Sequence, residues 1–109
     1  MNYRTYSATA FNRIRTIADA SRGALKAAEA AWEDARTAWV SATAYVDKLT
    51  AGRPQDGQLA EAQRELAAAK SEMDRCADVR KAAGDDWQAK AALAERAADF
   101  IKTNRLKAV

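Results

Sequence analysis

The chain has 109 residues, 18 Lys and Arg against 15 Asp and Glu, no histidine and one cysteine. Without histidine it lacks the commonest general base and metal ligand, and a lone Cys76 excludes an intrachain disulfide or a cysteine-based metal cluster. No apolar run of membrane-spanning length is present, and a chain this short makes one small domain at most.

Alanine is abundant while glycine and proline are scarce, which predicts an all-α protein. Residues 1–6 show no periodicity and are expected to form a loose tail. The basic, acid-free stretch to Ala18 has the composition of a transit peptide. Its apolar register continues into the following helix, however, so it is expected to belong to the fold. No secretory signal is visible, and the expected location is cytoplasmic.

The first helical arm is expected over residues 7–51, with Ser7 or Thr9 as its N-cap. Its apolar or small positions step three and four residues in strict alternation: Phe11, Ile14, Ala18, Ser21, Leu25, Ala28, Trp32, Ala35, Trp39, Ala42, Val46 and Leu49. A period of about 3.5 residues marks a coiled-coil-like packing edge. The turn, residues 52–57, has Gly52 placed to end the first helix in a left-handed conformation, Pro54 to stop it and Asp56 to cap the next.

The second arm, residues 58–104, repeats the stepping through Leu59, Ala62, Leu66, Ala69, Met73, Cys76, Arg80, Ala83, Trp87, Lys90, Ala94, Ala97 and Ile101. Folding the chain about the turn sets Leu49 against Leu59, Ala42 against Leu66, Trp39 against Ala69, Trp32 against Cys76, Leu25 against Ala83 and Phe11 against Ala97. Large residues meet small ones, which lets helices approach closely at interior density. The predicted fold is a long antiparallel two-helix hairpin with an alanine-rich seam, on the order of 60 Å long. Arg80 and Lys90 enter that seam, and Gly23 and Gly84 sit at one level, where a kink is expected; a full break into a folded-back bundle is the alternative. Two helices bury little, so pairing into a four-helix homodimer is expected.

Beside the seam, Ile17, Val79, Leu93 and Phe100 form an apolar stripe and are the candidate partner-binding residues. Arg13, Arg15, Arg96, Lys102 and Arg105 gather at the end far from the turn and are candidates for orienting a partner. Residues 1–28 with 81–109 carry 11 basic and 5 acidic side chains, and residues 29–80 carry 7 and 10.

Catalytic candidates are weak. Glu33-Asp34 and Asp85-Asp86 are sequence neighbours that point in different directions on a helix. Cys76 and the three tryptophans fall on seam positions and are expected to pack.

The layout resembles the WXG-type helical hairpins of bacterial type VII secretion. The turn Ala51-Gly52-Arg53-Pro54-Gln55-Asp56-Gly57 has no Trp-x-Gly, and the tail has no Tyr-x-x-x-acid signal, so the resemblance is one of architecture. Small phage-type inhibitors such as anti-CRISPR proteins share the size and the lack of catalytic motifs. The sequence therefore predicts a non-enzymatic protein-protein interaction module, an inhibitor or adaptor, with no cofactor or metal. A nucleic-acid-binding hairpin using its basic end, and a structural or secreted hairpin subunit, are the alternatives.

Overall fold

The computed structural model describes residues 4–109. Two helices dominate: α1, Ala8–Ala51, and α2, Gln58–Thr103, joined by a short turn in an all-α hairpin. Two short strands, β1 (Thr5–Tyr6) and β2 (Lys107–Ala108), pair in parallel. No helix among the described residues is long and apolar enough to cross a membrane.

The ends of the helices follow from local chemistry. Ser7 caps α1: its Oγ accepts from the Ala10 N–H at 3.1 Å and its carbonyl accepts from Phe11 at 3.0 Å. Threonines inside α1 return their hydroxyls to the carbonyl four residues back, as Thr16 does to Asn12 at 2.9 Å and Thr50 to Val46 at 2.8 Å. The turn differs from expectation. The glycine with positive φ is Gly57 (80°), not Gly52, whose N–H still donates back to the Lys48 carbonyl at 3.1 Å. Gly57 also takes the capping position expected of Asp56, because its carbonyl accepts from Glu61 at 3.0 Å. The Gln58 Oε1 reaches back to the Gln55 N–H at 3.1 Å and closes the turn.

Contacts divide the chain into a terminal unit, Met1–Lys26 with Ala82–Val109, and a turn unit, Ala27–Lys81. In both, the residues withdrawn from solvent are the stepped positions predicted above, while most others on the helices are exposed. The buried side chains are small: Ala18 and Ser21 in the terminal unit, and Ala28, Ala35, Ala62 and Cys76 in the turn unit. No large side chain among the described residues is wholly shielded. Small residues let the helix backbones approach, and larger neighbours such as Trp32 and Leu66 cover the contact partly.

Inside the turn unit, the Arg80 guanidinium lies over the Trp32 ring, 4.0 Å from its centroid, which explains how an arginine occupies an inward position. Cys76 is the small filler expected. Burial, then the Glu72 carboxylate at 3.6 Å, push its thiol above the ordinary range, the reverse of what a nucleophile needs.

Inside the terminal unit one inward position, Ser21, makes a polar contact. The Ser21 hydroxyl donates to Asp86 Oδ2 at 2.5 Å, and Lys90 Nζ reaches the same oxygen at 3.0 Å. The Ser21 hydrogen bond first, and then Lys90, hold the Asp86 carboxyl below its usual range. The antiparallel register read from the sequence extends to Ser21 against Trp87, so this contact falls one residue away from it. Both helices pass Gly23 and Gly84 without interruption, so the full break kept above as the alternative to a kink is not found at these positions.

Candidate functional site

The loose tail expected over residues 1–6 is the main departure from the sequence reading. Met1, Asn2 and Tyr3 lie outside the described residues, but residues 4–6 are held by the other end of the chain. The Lys107 N–H donates to the Arg4 carbonyl at 2.7 Å, Val109 to Tyr6 at 3.0 Å, and Ala8 to the Val109 carbonyl at 3.3 Å. The last of these satisfies a first-turn N–H of α1 that has no partner within the helix.

This pairing depends on how α2 stops. The Leu106 N–H donates to the Ile101 carbonyl at 3.0 Å and Arg105 to Lys102 at 3.2 Å, the two bonds of a Schellman ending. Arg105 takes the left-handed conformation this requires, with φ of 52°. The Asn104 amide adds a bond to the Phe100 carbonyl at 2.8 Å. The chain reverses, Leu106 folds back toward Ile101, and β2 is delivered to β1.

Between these ends lies an apolar hollow of about 280 Å³, walled chiefly by Tyr6, Phe11, Ile14, Phe100, Ile101 and Leu106. Tyr6 meets Phe11 edge to face at 6.0 Å between centroids, a favourable aromatic geometry. The Arg15 guanidinium stands 5.8 Å from the centroid of the same Phe11 ring.

Of the predicted stripe, Phe100 is 62% exposed and forms part of the wall. Ile17 and Leu93 belong to the same unit, are about half exposed and lie outside the wall. Val79 is exposed too, but in the turn unit.

The five predicted cations, Arg13, Arg15, Arg96, Lys102 and Arg105, are all exposed members of the terminal unit. Each is adjacent in sequence to a wall residue: Ile14 for Arg13 and Arg15, Ala97 for Arg96, Ile101 for Lys102 and Leu106 for Arg105. An apolar hollow with one guanidinium against its wall, that of Arg15 on Phe11, can accept a bulky apolar group that has an acidic neighbour.

Sequence reasoning missed Tyr6 and Leu106 as wall residues. A signal was present in Leu106, an apolar residue five positions after Ile101 across Asn104-Arg105, the spacing of a Schellman ending with its apolar contact. Tyr6 gave no such signal, because a two-residue strand has no readable period. Glu33 and Asp34 are exposed, and Asp86 is engaged by Ser21 and Lys90. Among the described residues no group of three or more His, Cys, Asp or Glu side chains is placed to hold a metal ion.

Comparison with known proteins adds no relative: no protein-family model, curated protein or solved structure matches the chain.

Proposed function

We propose that the protein is a non-enzymatic interaction module, a small cytoplasmic inhibitor or adaptor that occupies a surface on a larger macromolecular complex. The observation that carries this reading is the hollow of the terminal unit, with Phe100 62% exposed at its wall and the Arg15 guanidinium over its Phe11 ring. Its wall brings together no carboxylate, thiol or imidazole that could move a proton or attack a substrate. A concave apolar surface with a charged rim is the usual layout of a binding energy centre: the apolar anchor supplies affinity and the rim supplies orientation and encounter rate.

The partner is a protein segment that inserts a large apolar side chain beside acidic residues. The inward stepping of α1 and α2 is read as a coiled-coil packing edge, and the absence, among the described residues, of a wholly shielded large side chain favours pairing of the chain into a homodimer.

A nucleic-acid partner draws on the same cations but has less use for the apolar wall. Salt separates the two. Recovered partner from a tagged pull-down is measured across a salt series, before and after nuclease. The protein-partner reading expects nuclease-resistant capture that weakens gradually with salt and is lost in Phe100→Asp. Capture that disappears with nuclease, falls steeply with salt and ignores Phe100→Asp would instead identify a phosphate backbone as the ligand.

A further inference from the structure

A second hollow, of about 240 Å³, lies wholly within the terminal unit and shares no wall residue with the one at Phe100. Its small residues are Ala18, which is buried, and Ala91 and Ala94, which are half-buried. Trp87, also half-buried, adds an aromatic wall, and the contact of Ser21 with Asp86 sets it at the level of Arg22. The remaining wall is charged: Arg15, Asp19 and Arg22 of α1.

These three charges follow one edge of α1. Arg15 and Asp19 are four residues apart and Asp19 and Arg22 three, so the signs read plus, minus, plus at rises of about 6 and 4.5 Å. Such spacing allows ion pairs within the helix, yet the side chains make none. Asp19 and Arg22 have no hydrogen-bond or ion-pair partner among the described residues, and the Arg15 guanidinium stands over the Phe11 ring. The terminal unit as a whole carries 10 basic and 5 acidic residues, net +5, which draws an acidic partner toward it.

We propose that this second hollow docks a helix of another protein that presents acid, base and acid in sequence along one edge. A helix laid along α1 has the same rise per residue, so steps of three and four bring each of its charges opposite a counterpart. An extended segment advances about 6.6 Å between side chains on one face and overshoots the shorter interval. The alanines let the incoming backbone approach closely, and Trp87 offers it an apolar contact. A phosphate backbone would use the two arginines but meet repulsion from Asp19 between them, whereas the helix satisfies all three charges. The proposal extends the interaction-module reading to a second surface and does not depend on the hollow at Phe100.

The test is titration of the isotope-labelled full chain, followed by nuclear magnetic resonance at the Trp87 indole N–H and the Ala91 and Ala94 amides. The probes are two capped, alanine-rich helical peptides, Glu-x-x-Lys-x-x-x-Glu and Glu-x-x-x-Lys-x-x-Glu, which present the pattern antiparallel and parallel to α1. One of them is expected to shift these resonances saturably. Asp19→Lys with Arg22→Glu weakens that binding by about tenfold, with circular dichroism confirming that the variant keeps its helix. A peptide in which the two facing charges are exchanged recovers binding to that variant. No saturable shift with either peptide, or equal binding by wild type and variant, overturns the proposal. Shifts confined to Tyr6 and Leu106 overturn it too, by placing the peptide in the other hollow. A short oligothymidylate that shifts the Trp87 resonance where the peptides do not would assign the surface to nucleic acid instead. Asp19 and Arg22 lie outside the hollow at Phe100, so partner capture there is judged separately.

Discussion

The terminal unit and the turn unit are built from the same two helices with the same three-and-four stepping, yet they solve the packing problem differently. The turn unit buries Ala28, Ala35, Ala62 and Cys76 and covers them with aromatic and basic side chains, Arg80 lying on Trp32. Among its described residues the terminal unit buries Ala18 and Ser21, and it joins Ser21 to Asp86 and Lys90 in a hydrogen-bonded polar contact. It then gains what the seam lacks from its ends, through the β1–β2 pair and the Schellman ending of α2. A helix pair with a weak inward face can be completed by its termini, and the hollow formed by doing so is the candidate binding site.

Breaking the turn unit should cost most. Trp32→Ala removes a large packing surface and leaves Arg80 without its ring, and is expected to destabilise the fold by about 3 kcal/mol in urea unfolding. A loss below about 1 kcal/mol would show that the aromatic cover contributes little and that the two units are more alike than proposed.

The polar layer of the terminal unit should register in the acid limb. The folded Asp86 carboxyl titrates below its ordinary value of 3.8, chiefly through Ser21. A depressed carboxyl contributes stability that is present above the ordinary value and is lost as pH falls through the depressed one. Stability is therefore expected to fall below about pH 4, and Ser21→Ala should flatten part of that fall. The rest remains through Lys90 and through Glu72, which Arg75 holds down in the same direction. An unchanged acid limb in Ser21→Ala would remove the polar layer from the comparison.

Smaller effects test the ends. Ser7→Ala removes the cap of α1 and should cost about 1 kcal/mol in thermal or urea unfolding. Arg105→Gly should act in the opposite direction, raising stability by about 0.5 kcal/mol, since glycine adopts the left-handed conformation without the Cβ penalty that Arg105 carries at φ of 52°. A loss of stability in Arg105→Gly would mean that the arginine side chain matters more to this ending than its backbone.

Much of the fold was legible because it rests on period and size. Positions such as Ala18, Ala35, Ala62 and Cys76 were marked by stepping alone, and the turn by Gly52 and Pro54. The side-chain contacts between helices were less legible. Ser21 reaches Asp86 because a short hydroxyl can turn to a nearby carboxylate, and the Arg80 guanidinium lies over the face of Trp32. Gly52 was misassigned for a similar reason: both turn glycines suit positive φ, and the hydrogen bonds at each end decide that Gly57 uses it. Of the candidate site, the cations and Phe100 were visible as a basic end and an apolar step. The hollow itself depends on Tyr6 and Leu106 being brought together by chain reversal, a non-local event with no periodic trace.

The central claim is that the terminal unit holds the partner and the turn unit does not. It is tested most directly by nuclease-treated capture from cell extract with three baits: the wild type, Phe100→Asp at the hollow, and Val40→Asp at an exposed apolar position of the turn unit. The account predicts one protein recovered in comparable yield by wild type and Val40→Asp and absent from Phe100→Asp. Equal recovery by all three baits, or loss with Val40→Asp and retention with Phe100→Asp, would contradict it.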